Sequence, residues 1–268
     1  MARCTGDSPP AEIDGSGRLP SDGLFDGRGQ WIKLVQGDRS FVPGMTATEV
    51  LTFTRLAGDA VGATKMDRPE DVQPSPVTGK IYAAMTNNTN RGVGSYPGVD
   101  EANPRSPNRH GHIFEVVEDG GDHTAETFTW SLPIVCGDPE DPSTYFAGFD
   151  KAAVSPISCP DNVAFDSAGN LWISTDGNAL GSNDGLFATA IEGSEKGRLK
   201  QFLTVPAGAE TCGPFITGDD RSVFVAVQHP GEITGASVEN PVSFWPDGDF
   251  AKPGIVVTWR LDGGPVGS

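Results

Sequence analysis

One segment of this chain is written twice and a third time more loosely. RPEDVQPSPVTGKIYAAMT (68–86) and CPDNVAFDSAGNLWIST (159–175) share a Pro, an acid, an Asp or Asn and a Val. A short stretch then leads to a Gly, a polar residue and an apolar-aromatic run. CGPFITGDDRSVFVAVQ (212–228) is the looser copy. Each unit reads as strand, tight Asp/Gly turn, strand. Such units, recurring tens of residues apart, are how a β-propeller with elaborated blades looks. Propellers close into rings because an open sheet leaves unpaired edges. Three units amount to roughly half of such a ring, so either further blades lie in weaker segments or the chain is a fragment. The expectation is therefore an all-β fold, part of a β-propeller with antiparallel blades and inserted loops.

The rest of the chain supports that reading. KIYAAMT (80–86), HIFEVVE (112–118), TFTWSLP (127–133), NLWISTD (170–176), GLFATAI (185–191), RLKQFLTV (198–205), SVFVAVQ (222–228) and GIVVTWRL (254–261) are strand-length runs with aromatic and β-branched residues. The 35 glycines and 22 prolines fall between them as turn punctuation. One short helix is expected near 46–62. There Thr46 and Glu49 form a T-x-x-E capping box, and Phe53, Leu56, Ala57, Ala60 and Val61 recur at helical spacing. Residues 1–30, polar and rich in Gly, Pro and Asp, are expected as a flexible lead-in, leaving 31–268 as the partial propeller domain. The acidic loop 137–158 is expected as a surface excursion.

A net charge of −17 argues against nucleic-acid and anionic-membrane partners. No apolar run is long enough to span a bilayer. The acidity on its own suits solubility or adaptation to salt better than a set of carboxylates for hard cations such as Ca²⁺. Cys4, Cys136, Cys159 and Cys212 include no C-x-x-C pair, and their pairing stays open. The N-terminus has neither an apolar signal core nor an Arg-Arg pair, so this chain carries no export address.

The repeat also selects candidate site residues. Glu70 and Asp161 each follow the Pro of their unit. Equivalent positions in successive blades lie at one end of the channel, so the two acids converge near the axis. Clustered like charges are costly unless a cation lies between them. Both acids are alternatively caps of strand starts. Glu210, just before the third unit, is a third candidate. Arg68 lies two residues before Glu70, on the same face of an extended strand, as a phosphate receptor or as a plain ion-pair partner. His110, His112, His123 and His229 form no metal motif and are read as non-catalytic.

Longer stretches resemble a known family. TRLAGDAVGATKMDRPEDVQPSPVTGKIYAAMTNNTNRG (54–92), DEANPRSPNRHGHIFEV (100–116), CPDNVAFDSAGNLWISTDG (159–177), NDGLFA (183–188), GAETCGPFITGDDRSVFVAVQHPGE (208–232) and SFWPDGD (243–249) resemble, in order, the signature stretches of PhoX-type alkaline phosphatases. The resemblance implies a six-bladed propeller that hydrolyses phosphate monoesters with Ca²⁺ and Fe³⁺ on its axis, in the periplasm or outside the cell. It places Glu70 and Asp161 at metal-ligand positions and Arg68 at a phosphate-binding one. Glu210 falls within a family motif. It also implies a partner, since the N-terminal propeller half of the family, with further ligands, has no counterpart here. Two functions follow. One is phosphate monoester hydrolysis, incomplete in this chain alone. The other is a non-catalytic propeller fragment that binds cations or a partner.

Overall fold

The three copies of the repeated unit are three antiparallel hairpins, each opening a separate sheet. The computed structural model describes residues 1–177 and 179–267. In chain order the strands are β1 (Ala2–Gly6), β2 (Asp26–Trp31), β3 (Val35–Gln36), β4 (Arg39–Ser40), β5 (Pro69–Pro74), β6 (Ile81–Met85), β7 (His112–Glu118) and β8 (Thr127–Val135). There follow β9 (Tyr145–Phe146), β10 (Pro160–Phe165), β11 (Leu171–Thr175), β12 (Gly185–Thr189), β13 (Lys200–Thr204), β14 (Glu210–Ile216), β15 (Ser222–Gln228) and β16 (Gly254–Trp259).

The first sheet runs β1-β2-β8-β7-β6-β5, with β9 added to β8. The second runs β10-β11-β12-β13 and the third β14-β15-β16. Strand β10 lies beside both β5 and β14, so the opening strands of the three sheets are neighbours, as in a propeller. Each opening strand carries one register shift near its start, between Pro69 and Val72, Pro160 and Val163, and Cys212 and Phe215. A bulge there bends the strand and re-aims its side chains, which suits a site placed at that end.

Alternation along the strands builds the core. Tyr82, Ala84, Ile113 and Ile134 of the first sheet pack on Val163, Leu171, Ile173 and Phe187 of the second. Trp172 and Leu186, from the other face of the second sheet, pack on Ile216, Val223 and Val225 of the third. No helix among the described residues is long and apolar enough to cross a membrane. All four cysteines are free.

Three expectations need correction. Residues 1–30, expected as a flexible lead-in, contain β1 and most of β2, which extend the outer edge of the first sheet. Their runs ARCTG and DGRGQW look unlike strands because their glycines serve close packing. A Cβ on Gly29 would fall 2.0 Å from the Phe128 ring, so only glycine lets that ring lie against the strand. The loop 137–158 is not purely a surface excursion, since Phe146 and Ile157 are buried in the cluster between the first two sheets.

The helix near 46–62 is two helices, α1 (Ala47–Thr52) and α2 (Thr54–Ala60), broken at Phe53. The capping box is present: the Thr46 N–H donates to Glu49 Oε2 at 2.7 Å and the Glu49 N–H to Thr46 Oγ1 at 3.2 Å. The break follows from threonine hydroxyls bonding back to the preceding turn. Thr52 donates to the Thr48 carbonyl at 2.8 Å and Thr54 to the Val50 carbonyl at 2.9 Å, a habit that bends helices. Phe53 and Leu56 are consequently exposed, while Val50 and Ala57 are buried.

Candidate metal and phosphate site

Two residues at matching places in the repeat share an unusual backbone. Arg68 and Cys159, each just before the Pro, have φ of 51° and 53°, the left-handed region that side chains rarely adopt. Such strain persists where the surrounding structure over-determines it, and it concentrates at functional sites. Here the chain is held from across the hairpin. The Thr86 N–H donates to the Arg68 carbonyl at 3.1 Å, and the Asp176 N–H to the Cys159 carbonyl at 3.0 Å. The kink sets the acid that follows, Glu70 or Asp161, within the bulge at the start of the strand.

Arg68 is largely exposed, and two neighbours hold its guanidinium. It donates to Asn87 Oδ1 at 2.8 Å, and Nη2 lies 3.8 Å from Glu70 Oε1. The pair at 3.8 Å is an ion pair without a hydrogen bond.

The acids feel one another. Burial, then the charges of Glu210, Glu70, Asp176 and Asp71, push the Asp161 carboxyl up to about 7. Burial and the charges of Glu210, Asp184 and Glu70 likewise raise Asp176, against the opposing pull of Arg68. Glu70, Asp161 and Glu210 thus share one electrostatic neighbourhood with Arg68. Asp176 joins them unforeseen, since Asp176-Gly177 reads in sequence as an ordinary turn. A usable signal existed: Asp176 directly follows Thr175, which pairs with Pro160. Asp184 steadies that turn, accepting from Thr175 Oγ1 at 2.7 Å and from the Gly177 N–H at 3.2 Å. A cavity of about 480 Å³ opens beside the cluster, lined by Asp176, Asp184, Glu210, His229 and Glu232.

The donor set is oxygen, which suits hard cations of the Ca²⁺ type. Among the described residues, however, no three His, Cys, Asp or Glu side chains converge closely enough to hold one ion together. One reason is plain at Glu210, both of whose oxygens are engaged by neutral donors. Cys212 Sγ donates to Oε1 at 2.8 Å and Gln228 Nε2 to Oε2 at 2.9 Å. Burial and the Glu210 hydrogen bond raise the Cys212 thiol strongly, so it stays a neutral donor. The carboxylates therefore fit a hard cation in chemistry and neighbourhood, with the ligand shell not closed by this chain's side chains as they stand.

Comparison with known proteins bears on this arrangement. The family described as alkaline phosphatase PhoX matches residues 3–231. A solved structure, Pseudomonas fluorescens PhoX in complex with vanadate, a transition state analogue, aligns with a TM-score of 0.78 at 32% sequence identity. The alignment covers 99% of this chain and 45% of that one, so the chain spans less than half the length of the structure it matches. Comparison with curated proteins returns no match.

Proposed function

Given that the chain belongs to the PhoX family of alkaline phosphatases, we propose that it supplies part of the phosphate- and cation-binding wall of a phosphate monoesterase. The observation that carries this reading is the shared electrostatic field of Arg68, Glu70, Asp161 and Glu210 at the start of three neighbouring strands. The vanadate bound by the solved relative makes a phosphoryl group the natural occupant of that space.

In this reading Glu70, Asp161 and Glu210 hold hard cations, Ca²⁺ and Fe³⁺ by family resemblance. Such ions, when bound, supply positive charge that polarises phosphorus–oxygen bonds. Arg68 binds two phosphoryl oxygens at once and stabilises the charge that spreads over them during transfer. Asn87 orients that guanidinium through its 2.8 Å acceptor contact. Asp176 adds negative charge to the same field, which raises the cluster's demand for a cation. The bulged strand starts fix these groups on sheet scaffolding rather than on free loops, which limits the reorganisation needed when phosphate arrives. We place the protein in the periplasm or outside the cell on the same family grounds.

A second reading is favoured by one observation, that among the described residues no three candidate ligands converge. It is a propeller fragment that binds cations or a partner without turning over substrate. Hydrolysis of a chromogenic phosphate ester separates the two. Turnover that requires cations and is lost in Glu70→Gln supports the phosphatase. Cation binding with no turnover in any complex of this chain supports the fragment.

A further inference from the structure

Arg68 carries N–H donors only, so it dictates which end of the Asn87 amide faces it. Asn87 Oδ1 accepts from Arg68 Nη1 at 2.8 Å, and Nδ2 is turned toward the start of the second sheet, where it donates to Cys159 Sγ at 3.5 Å. The thiol in turn donates to the Arg109 carbonyl at 3.6 Å. Every hydrogen bond in this series runs one way, from the guanidinium to the carbonyl. Cys159 is buried, and burial raises its thiol, which keeps the S–H as a donor and the sulfur as an acceptor. The seat of the sulfur is built: a Cβ on Gly177 would fall 2.6 Å from Sγ, so the thiol occupies room that only glycine leaves. The backbone beside Asn87 is held as well. Asp67 Oδ1 accepts from Asn88 Nδ2 at 2.9 Å and from Arg91 Nε at 2.6 Å, with Asp67 and Arg91 both fully buried. Asp67 directly precedes Arg68, so one buried carboxylate anchors the chain beside both partners of the Arg68–Asn87 contact. What remains free is rotation of the Asn87 amide, and Cys159 opposes it.

We propose that Cys159 is a positioning residue for phosphate binding, whose thiol locks the Asn87 amide in the orientation that holds Arg68. The same residue serves the acids of the second sheet. Its carbonyl accepts from the Asp176 N–H at 3.0 Å, and Asp161 stands two residues further on. Cys159 thus sets the guanidinium of the first sheet against the carboxylates of the second. Without the thiol, Asn87 Nδ2 has no partner in a half-buried position, where a stranded donor is costly. The amide then rotates toward water, and Arg68 loses its acceptor. Its long, largely exposed side chain recovers rotamer freedom, and an arriving phosphoryl group has to order it again. Hydrogen bonds to sulfur are weak, so the effect falls on the order of Arg68 and hardly on global stability.

This inference rests on the reading of Arg68 as a phosphate receptor, and the test separates the two. Arginine side-chain NMR on the 268-residue chain, with the signal assigned through Arg68→Lys, reports rotation about the guanidinium bonds. Titration with inorganic phosphate reports affinity. In the unmodified chain Arg68 should rotate slowly. Asn87→Ala and Cys159→Ala should both speed its rotation and weaken phosphate binding about three- to tenfold, the worth of one hydrogen bond. Cys159→Ser, whose hydroxyl donates and accepts, should restore both. In an Asn87→Asp background a carboxylate holds Arg68 from either oxygen, so adding Cys159→Ala should leave the rotation unchanged, whereas a packing role would act alike in both backgrounds. If Cys159→Ala does not fold, Gly177→Ala displaces the thiol with Cys159 in place and should free Arg68 in the same way. Fast rotation in the unmodified chain, unchanged rotation in folded Cys159→Ala or Gly177→Ala, no rescue by serine, or an equal effect in the Asn87→Asp background would overturn the proposal. A chain whose Arg68 follows the expected pattern yet binds no phosphate keeps this inference and removes the phosphate reading alone.

Discussion

Asp71 of the first sheet accepts a hydrogen bond from the backbone N–H of Val163 in the second, at 3.1 Å. The same device recurs one sheet further on, where the Gly213 N–H donates to Asn162 Oδ1 at 2.7 Å. Asp71 and Asn162 are the same member of the repeat, the residue after the site acid. The bulge explains why the bonds exist. A register shift leaves an N–H without its partner across the hairpin, and the Asx side chain of the preceding sheet fills the vacancy. In the repeat, then, one residue serves the site and the next pins neighbouring sheets together.

Replacing Asp71 or Asn162 by Ala should therefore destabilise the protein by about 1–3 kcal/mol, the cost of stranding a backbone donor. Asp71→Asn and Asn162→Asp, which keep an acceptor, should lose less. Urea unfolding followed by tryptophan fluorescence gives the comparison. Alanine variants with the unmodified midpoint would show that the two contacts do not couple the sheets.

How far the sequence discloses this protein can be judged residue by residue. All eight strand-length runs are strands, because inward aromatic and β-branched side chains carry both the pattern and the packing. Strands β1 and β2 were illegible, since they are held by backbone pairing and glycine contacts instead of an apolar alternation. The helix break at Phe53 arises from threonine back-bonding, which spacing does not reveal. At the site, Glu70 and Asp161 stand out through repetition alone. Asp176 lies outside the repeated Pro-acid pattern, and Asn87 acts through a contact to Arg68 that only the folded hairpin creates.

Asp161 makes the cation-free protein lose stability as pH rises toward neutrality. Its folded carboxyl titrates at about 7 against an ordinary 3.8, so the native state holds a proton that the unfolded state has released. Stability is then fully present below about 4 and is lost as pH rises toward 7. Between about pH 4 and 7, this group should lower the thermal unfolding midpoint, measured with chelator present, as pH rises. Asp161→Asn should flatten that fall, and so should added Ca²⁺, which replaces the proton as the neutralising charge. An unchanged fall in Asp161→Asn would move its origin elsewhere.

His112 works in the opposite direction over an overlapping window. It is fully buried, with Nδ1 3.2 Å from Asn108 Nδ2. Burial, helped by Arg105 and Arg91 against the opposing Asp67, pushes it down to about 3 from an ordinary 6.5. Below 6.5 the unfolded chain takes up a proton that the folded chain refuses, so stability declines as pH falls from 6.5 toward 3. His112→Asn should reduce this acid slope while leaving the loss that Asp161 causes in place. Equal slopes in the two proteins would mean that other groups govern acid unfolding.

Turnover by this chain alone should be weak or absent, even with Ca²⁺ and Fe³⁺ supplied. A hard cation takes about 6–8 oxygen ligands, and iron requires a fixed and complete set. Here no three candidate ligands converge among the described residues, and both Glu210 oxygens are already engaged. Oxygen donors from outside this chain would complete the shell. Hydrolysis of a chromogenic phosphate ester should then appear. Glu70→Gln should abolish it by removing a charged ligand, and Arg68→Ala should lower kcat by about 10²–10³-fold, the loss expected for one preorganised donor. Robust cation-dependent turnover by the isolated 268-residue chain would mean that its own side chains rearrange into a complete site.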